Sequence, residues 1–161
     1  MSRTLIARPL AAAAFAAFGD VLEAAGTADK IINQGLCGRF HDRARLDFGT
    51  GRAGISIFDA VPRTLPHRLD LLERHPEGSQ TFVPMHTNPW LVIVAPDAGG
   101  IPGTPLAFLA APGQAVNLHR GTWHGVLTPL HAPGLFAVID RIGAGANLEE
   151  YPLTDPWIVT A

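Results

Sequence analysis

Histidine is the residue type with the clearest chemical potential here, since seven of the 161 residues are histidines. Two of them, His119 and His124, flank the turn-forming pair Arg120-Gly121, and a hairpin there would bring both imidazoles to one end of a β-structure. Imidazole exchanges a proton near neutral pH, so such a pair could act as general base and general acid. The spacing therefore predicts proton-transfer chemistry at the mouth of a hairpin.

The cationic residues give a second indication of chemistry. Eleven of the twelve are arginines, and the remaining one is Lys30. A guanidinium binds a carboxylate through two parallel hydrogen bonds, which favours a small carboxylate as substrate, although a GC-rich genome would produce the same bias. The net charge is −2 and the basic residues are scattered, so the sequence lacks the basic stripe that nucleic-acid binding requires.

Cysteine usage and the apolar runs bound the class of protein further. Cys37 is the only cysteine, which excludes an internal disulfide and a multi-cysteine zinc site and fits a cytoplasmic location. The run from Leu10 to Phe18 resembles a signal peptide, but it is short and rich in alanine. We therefore predict a short N-terminal helix that ends at Gly19. No other run is long enough to span a membrane.

The elements that would position the histidines are predominantly strands. Glycine (17 residues) and proline (14 residues) separate short runs that are either apolar or alternating. The runs predicted as strands are 21–23, 54–60, 68–75, 80–84, 90–95, 106–110, 115–119, 123–127 and 135–139. Residues 69–74 could also form a helical turn, and residues 31–42 read as irregular. The pattern predicts an all-β barrel or sandwich in one domain over residues 1–161.

Two of these runs resemble the metal-binding motifs of the cupin superfamily. Gly121-Thr122-Trp123-His124 resembles the second motif, in which a turn precedes one histidine. The first motif falls on Glu73-Arg74-His75, with Gln80 where cupins usually have a glutamate. Two of the four positions depart from the usual residue type, so a divalent ion would be held less firmly than in a standard site. The resemblance implies four metal ligands: Glu73, His75, Gln80 and His124.

Five stretches in the same order are similar to the ureidoglycolate lyase family. They are Ala14–Val21, Ile32–Gly35 with Arg39–Asp42, Leu72–Pro76 with Gly78–Met85, Val116–His124 and Ile139–Arg141. The resemblance implies a cupin-like β-barrel (a double-stranded β-helix, or jelly roll), usually a homodimer, that acts in allantoin degradation. It also implies a possible divalent metal, with nickel as one candidate.

The chemistry of (S)-ureidoglycolate suggests roles for particular residues. Release of urea requires removal of the hydroxyl proton, cleavage of the C–N bond and protonation of the leaving nitrogen. We expect His119 and His124 to be the acid/base pair and His75 and Gln80 to orient substrate or metal. The remaining expectations are Asp140 as a catalytic residue, Arg39 or Arg141 as the carboxylate anchor, and Asn33 as a partner of the ureido group.

Other functions stay open at the level of sequence. A cupin metalloenzyme of another class, such as a dioxygenase or isomerase, would share the frame, although non-haem iron usually needs more histidine. A non-catalytic cupin that binds a small carboxylate is a second alternative. An amidohydrolase acting on ureidoglycolate is the nearest rival, because it would release ammonia and carbon dioxide with the same glyoxylate.

Overall fold

The computed structural model describes residues 3–161, and nearly half of the chain (49%) is strand while 4% is helix. The prediction of an all-β, cupin-like β-barrel is confirmed. No helix among the described residues is long and apolar enough to cross a bilayer. The strands are β1 (Arg3–Ile6), β2 (Arg8–Pro9), β3 (Gly19–Leu22), β4 (Lys30–Ile32), β5 (Cys37–Arg39), β6 (Arg52–Asp59), β7 (His67–Arg74), β8 (Gln80–Pro84), β9 (Trp90–Ala95), β10 (Leu106–Ala110), β11 (Ala115–Leu118), β12 (Trp123–His124), β13 (Thr128–Pro129), β14 (Leu135–Ile142) and β15 (Glu149–Thr160).

Two large sheets form the nearly closed barrel. The first has the strand order β1-β15-β7-β12-β9-β10-β2, with β13 paired to β9, and the second has the order β3-β11-β8-β14-β6. Most pairs are antiparallel, whereas β1 runs parallel to β15 and β2 runs parallel to β10. A separate two-stranded sheet, β4-β5, lies outside both large sheets.

Strand β9 separates two hydrophobic cores. Every residue of β9 is buried, as its uninterrupted apolar sequence predicts. Trp90, Val92 and Val94 pack into the barrel interior with Phe82 and Phe136 of the second sheet. The alternate residues of β9 pack on its other side, against a layer that includes side chains of β7 and β15.

The N-terminal helix is present but shorter than predicted. It spans only Ala12–Phe15, and Phe15 is the residue that it buries. The prediction that Gly19 ends the helix is wrong, because Gly19 is the first residue of β3. A Cβ atom on Gly19 would lie 2.0 Å from the Asn117 carbonyl oxygen, so glycine is needed there for the close approach of β3 to β11.

The strand predicted over 68–75 is present, whereas two other elements differ from the sequence-based expectations. Residues 67–74 form a strand, so the helical-turn alternative is wrong. The segment expected to be irregular contains a hairpin, β4-β5, whose strands are joined by a 3₁₀ turn at Asn33–Gly35. Strand β15 was not predicted because Pro152 and Pro156 interrupt its pattern, and the pairing of β15 with β7 shifts register between Pro152 and Trp157.

Candidate active site

A cluster of ionisable side chains lies where β7 and β12 meet. His124 of β12 pairs directly with Glu73 of β7, and His75 follows the end of β7. Potential ligand atoms of Glu73, His75 and His124 lie within 4.8 Å of one another. The two imidazole rings are 5.2 Å apart between centroids. The structure thus brings together three of the four residues expected to bind metal, and we call them the interior cluster.

Hydrogen bonds orient both imidazoles of the interior cluster in the same way. Nδ1 of His75 lies 2.7 Å from the Asn147 carbonyl oxygen, and Nδ1 of His124 lies 2.9 Å from the Gly125 carbonyl oxygen. A carbonyl oxygen only accepts, so each Nδ1 carries the proton and each Nε2 has a free lone pair. Both Nε2 atoms are buried and have no hydrogen-bond partner among the described residues. Buried polar atoms are normally paired, so these two nitrogens indicate a binding or catalytic site.

Burial shifts the pKa values of His124 and Glu73. It lowers the pKa of His124 to about 4, with the nearby His75 adding to that effect and the hydrogen bond to Gly125 opposing it. The His124 imidazole is therefore neutral at physiological pH, which is the form that accepts a proton or binds a metal. Burial also raises the pKa of Glu73, which His75 partly offsets and Glu150 reinforces.

Gln80 and Asp140 form a second polar pair, on adjacent strands of the other sheet. They are direct partners between β8 and β14, and Gln80 Nε2 donates to Asp140 Oδ2 at 3.2 Å. Strand alternation places Gln80 on the same face of β8 as Phe82, a member of the interior core. Its Oε1 is buried without a partner. Asp140 thus fixes the amide so that a free acceptor is directed away from it.

The structure does not bring His119 into contact with His124. Leu118 belongs to the interior core, so the next residue, His119, projects to the other side of the sheet. Its Nδ1 lies 3.3 Å from Arg45 Nη2, and its Nε2 approaches Asp20 Oδ2 to 3.0 Å without the alignment of a good hydrogen bond. A guanidinium only donates, so Nδ1 is the acceptor and Nε2 carries the proton.

His119 is part of a network on the outer face of the second sheet. Asn117 has no exposed surface; its Nδ2 donates to Asp20 Oδ2 and to the Arg45 carbonyl oxygen, and its Oδ1 accepts from Thr81. Burial alone would raise the pKa of Asp20. The hydrogen bonds from Asn117 and from the Arg45 backbone, helped by His119, lower it below the usual value instead. We call these residues the outer network, and it holds the segment around Arg45 against the sheet.

The remaining predicted residues form no hydrogen bond or ion pair with the interior cluster in the described part of the chain. Arg141 donates from Nη2 to the Ala144 carbonyl oxygen, and its side chain lies beside glycines 51, 78 and 143, where a Cβ would collide with it. Asn33 and Arg39 are exposed on the β4-β5 hairpin. Within residues 3–161, no arginine forms a hydrogen bond or ion pair with Glu73, His75, Gln80, His124 or Asp140.

Sequence reasoning missed several residues that orient the predicted ones. Asn147 fixes His75 through its backbone carbonyl and also accepts from the Glu77 amide through its side chain. Asp20 and Arg45 hold His119. These partners are separated from the histidines by 72 to 99 positions in the chain, and a backbone carbonyl carries no residue-type signal. No pattern in the sequence could have identified them.

The interior cluster fits a divalent metal. It offers two imidazoles whose Nε2 atoms are buried and unpartnered, and one carboxylate, which is a common donor set for first-row transition metals. The carbonyl partners of the two Nδ1 atoms are the orienting contacts that metal-binding histidines usually have. Glu73, His75 and His124 are therefore the residues that would hold such an ion.

The barrel and its partly buried His–His–Glu cluster define a cupin-type protein. The sequence profile described as ureidoglycolate lyase matches residues 2–160, and this chain belongs to that family. Relatives described as ureidoglycolate lyases include one from Rhodobacter capsulatus, 62% identical over 160 residues that cover 99% of both chains. One from Chelativorans is 48% identical, covering 96% of this chain and 95% of its own, and ureidoglycolate lyase 2 of Rhizobium meliloti is 47% identical, covering 94% of each.

Proposed function

We propose that this protein is a carbon–nitrogen lyase that splits (S)-ureidoglycolate into urea and glyoxylate. The observation that carries the proposal is the pair of buried, unpartnered Nε2 atoms of His75 and His124 beside Glu73. The names of its relatives, which match over nearly their whole length, support the choice of substrate. The proposal treats residues 1–161 as one functional domain.

The reaction needs a proton to move from oxygen to nitrogen. One free Nε2 takes the proton of the substrate hydroxyl, the C–O bond becomes the carbonyl of glyoxylate, and the C–N bonding electrons leave with the ureido nitrogen. That nitrogen takes a proton and urea is released, so no water or oxidant is consumed. We assign His75 and His124 to these transfers because they share the interior cluster.

The other predicted residues have supporting roles in this proposal. Gln80 Oε1 accepts from an N–H of the ureido group, and Asp140 holds the amide in that orientation. His119, first expected to be half of the acid/base pair, instead positions Asp20 and Arg45 in the outer network. Arg141 supports the turn around Ala144.

A divalent metal, such as nickel, is part of the proposal as a cofactor held by Glu73, His75 and His124, with Gln80 as a further candidate ligand. Bound there, it would stabilise negative charge on the substrate hydroxyl or carboxylate oxygen. Gln80 keeps an unpartnered acceptor that suits either a metal or a substrate N–H. Metal analysis of the purified protein, before and after treatment with a chelator, tests this part separately from activity.

An assay of the products tests the proposed reaction. Purified protein incubated with racemic ureidoglycolate should release urea and glyoxylate in equal amounts, from the (S) enantiomer, without ammonia. Ammonia as the dominant product would contradict the lyase and favour the amidohydrolase. Binding of ureidoglycolate without turnover would favour a non-catalytic cupin.

The proposal also includes a homodimer in the cytoplasm that acts in purine catabolism through allantoin. Large apolar side chains remain exposed on the barrel, among them Ile55 (74% exposed) and Val61 (77% exposed), which supports self-association. Sedimentation of the purified protein tests the oligomeric state.

A further inference from the structure

The hairpin β4-β5 projects from the barrel and exposes apolar side chains. Lys30 pairs with Arg39 at its base and Ile32 pairs with Cys37 near its tip. Leu36 is 87% exposed and Ile31 is 64% exposed. Apart from its own turn, the hairpin has no substantial packing against another element of the described chain. It therefore leaves an apolar surface uncovered.

This hairpin needs support that the described chain does not supply. Asn33, Gln34 and Gly35 have consecutive positive φ angles of 52°, 59° and 91°, a conformation that only glycine adopts freely. A lone two-stranded hairpin is at best marginally stable in water. Contacts at its base come from Asp29, which accepts from the His41 amide and forms an ion pair with Arg43. These contacts fix where the hairpin starts and leave its apolar face free.

A second uncovered apolar surface lies at one edge of the second large sheet. Strand β6 is the edge strand, and Ile55 and Ile57 (74% and 58% exposed) share one of its faces. They pair with Ile139 and Ala137 of β14, which continue the same face. We call this surface, defined by Ile55, Ile57, Ala137 and Ile139, the β6 face. An exposed apolar surface on an edge strand favours association.

The two surfaces are related to opposite edges of the second large sheet. The hairpin follows β3, one edge strand, in the chain, and β6 is the opposite edge strand in the order β3-β11-β8-β14-β6. If two copies pack with these sheets face to face about a twofold axis parallel to the strands, the β3 edge of each copy meets the β6 edge of the other. Each hairpin then contacts the other copy's β6 face, as a closed symmetric dimer requires.

The distribution of arginines supports the same arrangement. Asp140 pairs with Gly54 of β6, so the β6 edge adjoins the end of the sheet that holds the Gln80–Asp140 pair. No arginine of the described chain bonds to that pair or to the interior cluster, and a carboxylate substrate requires a cationic partner. The backbone of Arg39 pairs with Lys30 in the hairpin, but its side chain forms no hydrogen bond or ion pair within residues 3–161.

We propose that the β4-β5 hairpin of each protomer packs on the β6 face of a second copy and carries Arg39 to the mouth of that copy's active site. The partner's Arg39 there binds the substrate carboxylate. This inference rests on the proposed function and deepens it, because residues of both protomers then form each active site.

The interface is tested by single charged substitutions and sedimentation. Leu36→Asp on the hairpin and Ile57→Asp on the β6 face should each convert dimers to monomers, because each places a carboxylate in an apolar contact. Ile101→Asp, at a position 47% exposed in the 96–105 loop, is the matched control and should remain dimeric. Dimers that persist in both interface variants, or a wild-type protein that is monomeric, would overturn the proposal.

Mixing two inactive variants tests the exchange of Arg39. Arg39→Ala and His124→Ala dimers, each expected to lose at least tenfold in activity, are unfolded and refolded together. Random pairing makes half of the dimers mixed, and each mixed dimer contains one intact site, so about a quarter of wild-type activity should return.

Two results would contradict the exchange. No recovery on mixing would mean that Arg39 serves its own chain, and full activity of Arg39→Ala alone would remove it from the site. If wild-type protein released no urea, the proposed function would fail instead, and the sedimentation results would still decide the interface.

Discussion

The interior cluster and the outer network contain histidines in opposite tautomers, although His119 and His124 are only five positions apart. His75 and His124 donate from Nδ1 to carbonyl oxygens and keep a free lone pair on Nε2. His119 accepts at Nδ1 from Arg45 and presents its Nε2 proton to Asp20. A histidine whose free Nε2 faces the interior can bind a ligand or move a proton, whereas one whose two nitrogens face a guanidinium and a carboxylate is suited to hold structure.

Removal of His124 is the severest test of this contrast. His124→Ala deletes a free Nε2 from the interior cluster, so kcat for urea release should fall by about 10² to 10⁴. Steady-state kinetics measure the loss, and circular dichroism checks that the barrel is intact. A wild-type kcat in this variant would contradict the catalytic role of the interior cluster and its contrast with the outer network.

The pH dependence of stability should show the burial of His124. Its pKa is about 4 in the folded protein, against about 6.5 when unfolded, so the unfolded state binds more protons between these values. The free energy of unfolding of metal-free protein should therefore decline by about 3 kcal/mol as the pH falls from 6.5 to 4. Denaturant titrations measure the decline, and His124→Gln should lack this part of it.

Loss of Asp140 should affect substrate binding to an intermediate degree. In Asp140→Leu the Gln80 amide loses the acceptor that orients it, so we expect kcat/KM to fall about tenfold, mainly through KM. Asp140→Asn keeps an acceptor oxygen and is the matched control. Equal losses in both variants would show that the carboxylate charge, rather than the orientation of Gln80, matters.

Substitution of His119 should change stability more than chemistry. His119→Ala removes one contact of the Arg45 guanidinium and one of Asp20, which keeps its bonds from Asn117 and the Arg45 amide. The free energy of unfolding should therefore drop by about 1 kcal/mol while kcat changes only a few-fold. His119→Gln can both donate and accept, and should recover part of the stability. If kcat fell as much in His119→Ala as in His124→Ala while stability stayed unchanged, His119 would have a catalytic role instead of a structural one.

Nitrogen NMR distinguishes the tautomers without any mutation. In metal-free protein near neutral pH, His75 and His124 should show a protonated Nδ1 and His119 a protonated Nε2. Detection of the Nε2–H form for His124 would contradict the orientation of the interior cluster.

The pattern of short strands in the sequence predicts most of the fold. The alternation of side chains between the two faces of a strand explains which site residues could be predicted. The apolar run 90–95 identifies β9, and the spacing of Glu73 and His75 predicts that their side chains lie on the same side of the chain at the end of β7. The same rule, applied to Leu118 and His119, argues against a pair with His124, which the turn at Arg120-Gly121 had suggested. The long-range partners of these residues depend on tertiary packing that local pattern does not encode.

The position of β9 between the two hydrophobic cores affects how the protein unfolds. Val94 packs into the barrel interior while Ile93 and Ala95 pack on the outer layer with β7 and β15. The two layers cannot separate without exposing one side of this strand to water. We therefore expect a single cooperative unfolding transition, in which the interior cluster and the outer layer disappear together.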